Sequence, residues 1–179
     1  MPLEFPPHND LLEKYNLSKG DIILKINDFS VNDINTLKEY IKEQNIHFDK
    51  ILHSHLCRAA VTAKIIAELN NIPMQVEPRL AEQNFGKWEG WACPKNDKSF
   101  HLAKQQFADN YEGGESMLRL AHRVYSLLDE LKAMPKDETY LLVTHGGIAR
   151  SIHSYFYDMT NEEYSSFQMR NCEIKEYVF

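Results

Sequence analysis

The sequence is short of cysteine, has no long apolar run, and carries no surplus of positive charge. Its three cysteines, Cys57, Cys93 and Cys172, are odd in number and widely separated. They offer neither a disulfide framework nor a Cys-x-x-Cys metal clip, and they suit a reducing cytoplasm. Nowhere do about 18 apolar residues follow one another, so no membrane span is expected. The start, Met1-Pro-Leu-Glu-Phe-Pro-Pro, has no basic stretch leading into an apolar one, so no secretory leader is expected either. Twenty Lys and Arg stand against 26 Asp and Glu, a net charge of −6. That balance provides no global positive field for a nucleic-acid backbone or an anionic membrane, so an anionic ligand has to be held locally. Internal repeats, low-complexity tracts and a flexible interdomain linker are also missing.

What is present fits a single domain over residues 1–179, because 43% hydrophobic residues in a chain of 179 can close one core. Short strand-like runs alternate with longer helical ones. This pattern predicts an α/β fold, a three-layer α/β/α sandwich with a mostly parallel central sheet and helices on both faces. Leu3 and Phe5 alternate in a short opening strand that Pro6 and Pro7 must end, so the first loop starts near His8. The stretch from Pro7 to Phe29 reads as irregular, and Ser30 with Asp33 resembles the start of a helix carrying Ile34, Leu37, Tyr40 and Ile41. Phe48 to His53 reads as a strand, Arg58 to Leu69 as a helix, and Met74–Val76 as a short strand. Glu115 to Ala133 reads as an amphipathic helix, Tyr140–Val143 as a buried parallel strand, Ile148 to Tyr157 as a helix, and Cys172 to Val178 as a last strand.

Two strand-to-helix junctions carry the chemistry. In Leu141-Leu-Val-Thr-His145-Gly-Gly a buried strand delivers a histidine to the first residues of a helix. Helix N-termini at the carboxyl ends of parallel strands present free N–H groups to anions. The plainer alternative is a histidine in a turn whose glycines, Gly146 and Gly147, serve backbone geometry only. In Ile51-Leu-His-Ser-His-Leu-Cys-Arg58 an arginine falls on a helix's first turn, where a cation opposes the helix dipole. Clamping an anion would explain it, and so would an ordinary surface ion pair.

Together with Arg79-Leu-Ala-Glu82-Gln-Asn-Phe-Gly86 and Gly113-Gly-Glu-Ser116, these junctions form an ordered set that resembles the histidine phosphatase superfamily, the cofactor-dependent phosphoglycerate mutase and acid phosphatase group. The resemblance runs from about Asp49 to Cys172. It implies a phosphate-binding arginine at Arg58, a proton donor at Glu82 and a second catalytic histidine at His145, with Gly146 offering its backbone N–H. His55 stands where the family has proline and lines the pocket. The family's Arg-His-Gly triplet is replaced by Pro7-His8-Asn9. Overlaying the start makes His8 the nucleophile and lets Asn16 stand for the asparagine that usually follows. Pro7 cannot supply the missing charge, and losing one preorganised donor to a developing oxyanion costs about 2.7–4 kcal/mol, or roughly 10²- to 10³-fold in rate.

The reaction so implied is hydrolysis of a small phosphorylated substrate through a phosphohistidine, without metal or other cofactor and without a nucleic-acid or membrane partner. The alternative is an impaired relative that binds phosphate or a protein partner, with Pro6-Pro7 as the discriminating feature. A phosphoglycerate-type mutase stands behind both, since the chain lacks the extended insertions of those enzymes. His53 and His55 are two apart on a strand and could share a metal, but no third ligand is apparent. His53 therefore reads as structural, and Trp88, Trp91 and Phe100 as packing. The segment from Trp91 to Tyr111 corresponds to the family's variable insertion over the pocket.

Overall fold

The computed structural model describes residues 25–26, 29–30, 47–90, 97–134, 138–169 and 174–179. His8, Asn16, the opening strand at Leu3–Phe5 and the helix expected over Ile34–Ile41 lie outside the described residues. Lys25–Ile26 (β1) and Phe29–Ser30 (β2) pair antiparallel, Lys25 opposite Ser30. The reading of the stretch up to Phe29 as irregular is corrected at Lys25, Ile26 and Phe29, which lie in this ladder.

The sheet that organises the molecule is parallel, with β3 (Lys50–His53) between β4 (Met74–Val76) and β5 (Tyr140–Val143). Ile51, Leu52 and His53 pair with Met74, Gln75 and Val76 on one side and with Leu141, Leu142 and Val143 on the other. Side chains on a strand alternate between faces. Ile51, Leu141 and Val143 accordingly meet Phe48, Ala63, Ile66 and Ala67 on one face. Leu52, Tyr140 and Leu142 meet Leu120, Val124, Leu128, Ile148 and Ile152 on the other. β5 is apolar at all four positions and half-buried, with side chains packed on both faces.

Helix α1 (Cys57–Asn70) links β3 to β4 and buries Ala59, Ala63, Ile66 and Ala67, one stripe at helical spacing. It stops where Asn71 turns left-handed (φ 52°), and Ile72 N–H closes on the Ala67 carbonyl at 3.1 Å. A shorter helix, α2 (Lys98–Lys104), brings Phe100 and Ala103 against Trp88 and Tyr111 in a separate aromatic cluster. Trp88 and Phe100 thus pack as expected, and Trp91 lies outside the described residues. Helix α3 (Met117–Ala133) starts at Ser116, whose Oγ accepts Arg119 N–H, and lays Leu120, Val124, Leu127 and Leu128 on the second face. Helix α4 (Gly146–Phe156) follows β5 on that same face, and α5 (Asn161–Ser166) opens with a Thr160–Glu163 capping box.

The last strand expected over Cys172–Val178 is not formed in residues 174–179. Their aromatic residues dock on the end of α4 instead. Tyr177 stacks on Phe156 (ring centroids 4.8 Å, 20° between planes) and its hydroxyl meets His153 Nδ1 at 3.1 Å, while Phe179 packs on Phe156. Alternation fits a strand, but ring burial against a helix satisfies the same residues without a ladder. No helix of the described residues is long and apolar enough to cross a membrane.

Candidate active site

The order β4-β3-β5 puts the site between β3 and β5. From β3 the chain leaves to α1 on one face, and from β5 it leaves to α4 on the other. Neighbouring parallel strands whose connections part in this way open a crevice at their carboxyl ends, the usual ligand position of such sheets. Ser54 to Arg58 and Thr144 to Gly147 are the two sequences that line it.

Ser54 is fully buried and continues the ladder, its N–H donating to the Val143 carbonyl at 3.0 Å. Its hydroxyl oxygen accepts Leu56 N–H at 3.2 Å and lies 2.8 Å from His145 Nε2. Arg58 Nε donates to His145 Nδ1 at 3.1 Å. A guanidinium can only donate, so Nδ1 is the bare nitrogen and the neutral ring carries its proton on Nε2, directed at Ser54. The Ser54 hydroxyl hydrogen is thereby left to donate elsewhere. Arg58 itself is exposed, and its two Nη groups have no partner among the described residues. An anion in the crevice would find them.

His145 is 8% exposed. Burial first, then the positive charges of Arg58, His55 and Arg123, lower its pKa from 6.5 to about 4. The ring is therefore neutral at neutral pH. Between these two values the unfolded chain binds the proton and the folded chain does not, so stability rises with pH. We expect a contribution on the order of 3 kcal/mol that is full above pH 6.5 and lost as pH falls towards about 4. Denaturant unfolding across that range measures it, and His145→Gln should flatten the slope.

Glu82 approaches from the segment after β4. Its Oε2 accepts Gly147 N–H at 3.3 Å, in the first turn of α4, and its Oε1 accepts Gln83 N–H at 3.0 Å. A Cβ on Gly147 would stand 2.5 Å from Glu82 Oε1, so a glycine is required for the carboxyl to reach the helix. A Cβ on Gly146 would meet nothing within 4 Å, which leaves open space before the helix N-terminus. The segment is pinned at its start, where Arg79 clasps Glu77 through Nε and Nη2 at 2.8 Å each and reaches Glu130 at 2.8 Å. That clasp holds the Glu77 carboxyl below its usual pKa. Thr144 Oγ1 ties the Leu80 carbonyl to the end of β5 at 2.8 Å. Beyond Glu82 the chain interlocks with residues 110–115: a Cβ on Gly114 would lie 2.3 Å from the Asn84 carbonyl oxygen, and Gly86 (φ +54°) faces Tyr111 just as closely.

Of the residues expected from the sequence, the crevice brings together Arg58, Glu82, His145 and Gly146, with His55 exposed near enough for its charge to act on His145. His53 is buried, its Nδ1 donating to the Ser54 carbonyl at 2.8 Å, a structural place. His8 and Asn16 fall outside the described residues. Sequence reasoning missed Ser54 as the partner of His145. Its one signal was a hydroxyl three residues before a helix that has no side-chain cap.

Residues 15–179 match the family model described as histidine phosphatase superfamily (branch 1). The chain belongs to this superfamily. His8 lies ahead of the matched stretch and Asn16 inside it. Among its relatives is the probable phosphoglycerate mutase GpmB of Yersinia pestis, 27% identical over 154 residues that span 83% of this chain and 71% of that protein. Its fold is that of a mycobacterial glucosyl-3-phosphoglycerate phosphatase (TM-score 0.65, 22% identity, 85% of this chain and 77% of the other). It is likewise that of an Escherichia coli protein described as a putative alpha-ribazole-5'-P phosphatase (TM-score 0.61, 21% identity, 80% and 74%). In this chain His145 immediately precedes α4, Arg58 lies in the first turn of α1, and Glu82 falls between them in sequence.

Proposed function

We propose that this superfamily member is a metal-independent phosphomonoester hydrolase that acts on a small phosphorylated substrate through a phosphohistidine at His8. The observation that carries the reading is the Arg58–His145–Ser54 contact set facing the N-terminal amides of α4, with Glu82 on the same helix end. Arg58 and the first amides of α4 are donors of the kind a phosphoryl group needs, and a carboxyl stands beside them.

In the reaction, the neutral imidazole of His8 forms a bond to phosphorus in line with the leaving oxygen. The Arg58 Nη groups, the Ser54 hydroxyl and the α4 amides take up charge on the equatorial oxygens, while His145 orients Arg58 and Ser54 through its two ring nitrogens. As the phosphorus–oxygen bond breaks, Glu82 in its acid form gives its proton to the leaving alcohol. The resulting carboxylate then accepts a proton from water. That water attacks phosphorus, the phosphorus–nitrogen bond breaks, and phosphate and free His8 are released. A sugar-phosphate or phosphoglycerate ester fits the substrate class named for the similar phosphatases and the mutase.

Pro7 favours a second reading, in which the arginine beside the nucleophile is lost and the site only binds phosphate or a partner. Hydrolysis of an aryl phosphate in EDTA decides between them. Turnover is expected in the wild type, and Pro7→Arg should raise kcat/KM by up to about 10²-fold, since one preorganised donor is worth that much. Absence of turnover in both proteins would leave only the binding reading.

A further inference from the structure

Arg123 is unusual in the number of groups it holds. It lies on α3, eight residues after Glu115, and the two side chains are 19% and 20% exposed. Its Nε and Nη2 meet the two Glu115 carboxyl oxygens at 2.6 and 2.8 Å, a bidentate pair. The same guanidinium donates through Nη2 to the Ala81 carbonyl at 2.7 Å and through Nη1 to the Arg79 carbonyl. From the other side, Gln83 Nε2 donates to the Glu115 carbonyl at 3.0 Å, and Glu115 N–H donates to the Asn84 carbonyl at 2.8 Å. Backbone or side chain of residues 79, 81, 83 and 84 is thus bound to one Arg123–Glu115 unit. The residue they flank is Glu82, whose carboxyl alone turns the opposite way, to Gly147.

Such a bond set exceeds what a surface ion pair needs. Holding two backbone carbonyls and both oxygens of one carboxylate at fixed angles requires the planar fork of arginine; an ammonium is a point charge and cannot span them. A carboxyl that must donate to a leaving oxygen has to sit within hydrogen-bond reach of it, and a displacement of about 1 Å can cost 10²-fold. We propose that Arg123, acting through Glu115, is a positioning residue that fixes the backbone on both sides of Glu82 and so sets proton delivery to the leaving group. The inference rests on the reading of Glu82 as the proton donor.

The test compares two esters of opposite demand. A dinitrophenyl phosphate leaves without a proton, whereas an alkyl phosphate needs one. With Arg123→Met, the single-turnover rate of alcohol release from the alkyl ester should fall about 10²-fold, the scale of general acid catalysis, with the single-turnover rate of dinitrophenol release unchanged. Glu82→Gln should show the same split in these release rates, although its phosphohistidine decays more slowly with either ester, and the double variant should release the alkyl alcohol no more slowly than Glu82→Gln alone, because both changes remove one function. Arg123→Lys, which keeps the charge beside Glu115 and spares the fold, should reproduce the split. Equal losses on both esters, or losses that multiply in the double variant, would overturn the inference.

Should the wild type cleave neither ester, the functional reading fails, and the positioning is then read without activity from the pH titration of the Gly147 amide resonance. In the wild type that amide should report the ionisation of Glu82. Loss of this response in Arg123→Lys would support the positioning, and its persistence would refute it.

Discussion

His8→Ala should reduce metal-free phosphate ester hydrolysis by at least about 10³-fold, and free imidazole added to the variant should restore part of it. Both expectations follow from one role. If the imidazole forms the bond to phosphorus, its removal leaves the crevice able to bind the phosphoryl group but without a group to receive it. The binding machinery of Arg58, His145 and the α4 amides stays intact, so KM or phosphate affinity should move little while kcat collapses. External imidazole then reacts from solution, without the advantage of being held in place. A variant that keeps its rate would assign the nucleophile elsewhere. Steady-state rates with and without imidazole, in EDTA, measure the effect.

Arg58→Ala should lower kcat/KM by about 10²- to 10³-fold, the loss expected when a preorganised donor to the transferring group is removed. Here the effect reaches further than one contact. Arg58 Nε is the group that fixes the bare Nδ1 of His145, and its charge is the second cause, after burial, of that ring's low pKa. Without the guanidinium, the ring is released from its tautomer and its pKa should rise from about 4 back towards 6.5. The variant therefore loses rate and also changes its acid limb. Arg58→Lys should lose the Nε contact but retain part of the phosphate affinity and the positive charge that lowers the His145 pKa, so its His145 titration should sit closer to the wild type than to Arg58→Ala. Nuclear magnetic resonance titration of the His145 ring protons, alongside kinetics, reads both effects.

Parts of this site were legible in the sequence because local chemistry wrote them there. Tyr140–Val143 is apolar at all four positions, which only a strand covered on both faces needs, and it runs directly into His145 and two glycines. Arg58 stood out because a cation on a helix's first turn is out of place without an anion. Glu82 had no such local signal and came from the resemblance alone. What could not be read were contacts between distant segments. Ser54 and His145 are 91 residues apart, and Arg123 reaches carbonyls 42 and 44 residues away, with nothing in either local pattern to foretell the pairing. The misread tail has a different cause. Tyr177 and Phe179 alternate as strand residues do, but Phe156 and His153 at the end of α4 offered their rings a better surface than a sheet edge.

The central claim is that phosphoryl transfer passes through His8 at the crevice formed by Arg58 and His145. It is tested most directly by mixing the protein with an aryl phosphate in EDTA, quenching at alkaline pH, and locating any phosphoryl group by tandem mass spectrometry. A phosphoryl group on His8 that builds up within one turnover and decays with release of phosphate is the predicted result. A phosphoryl group on another residue, or turnover with no phosphoprotein at any time, would contradict it.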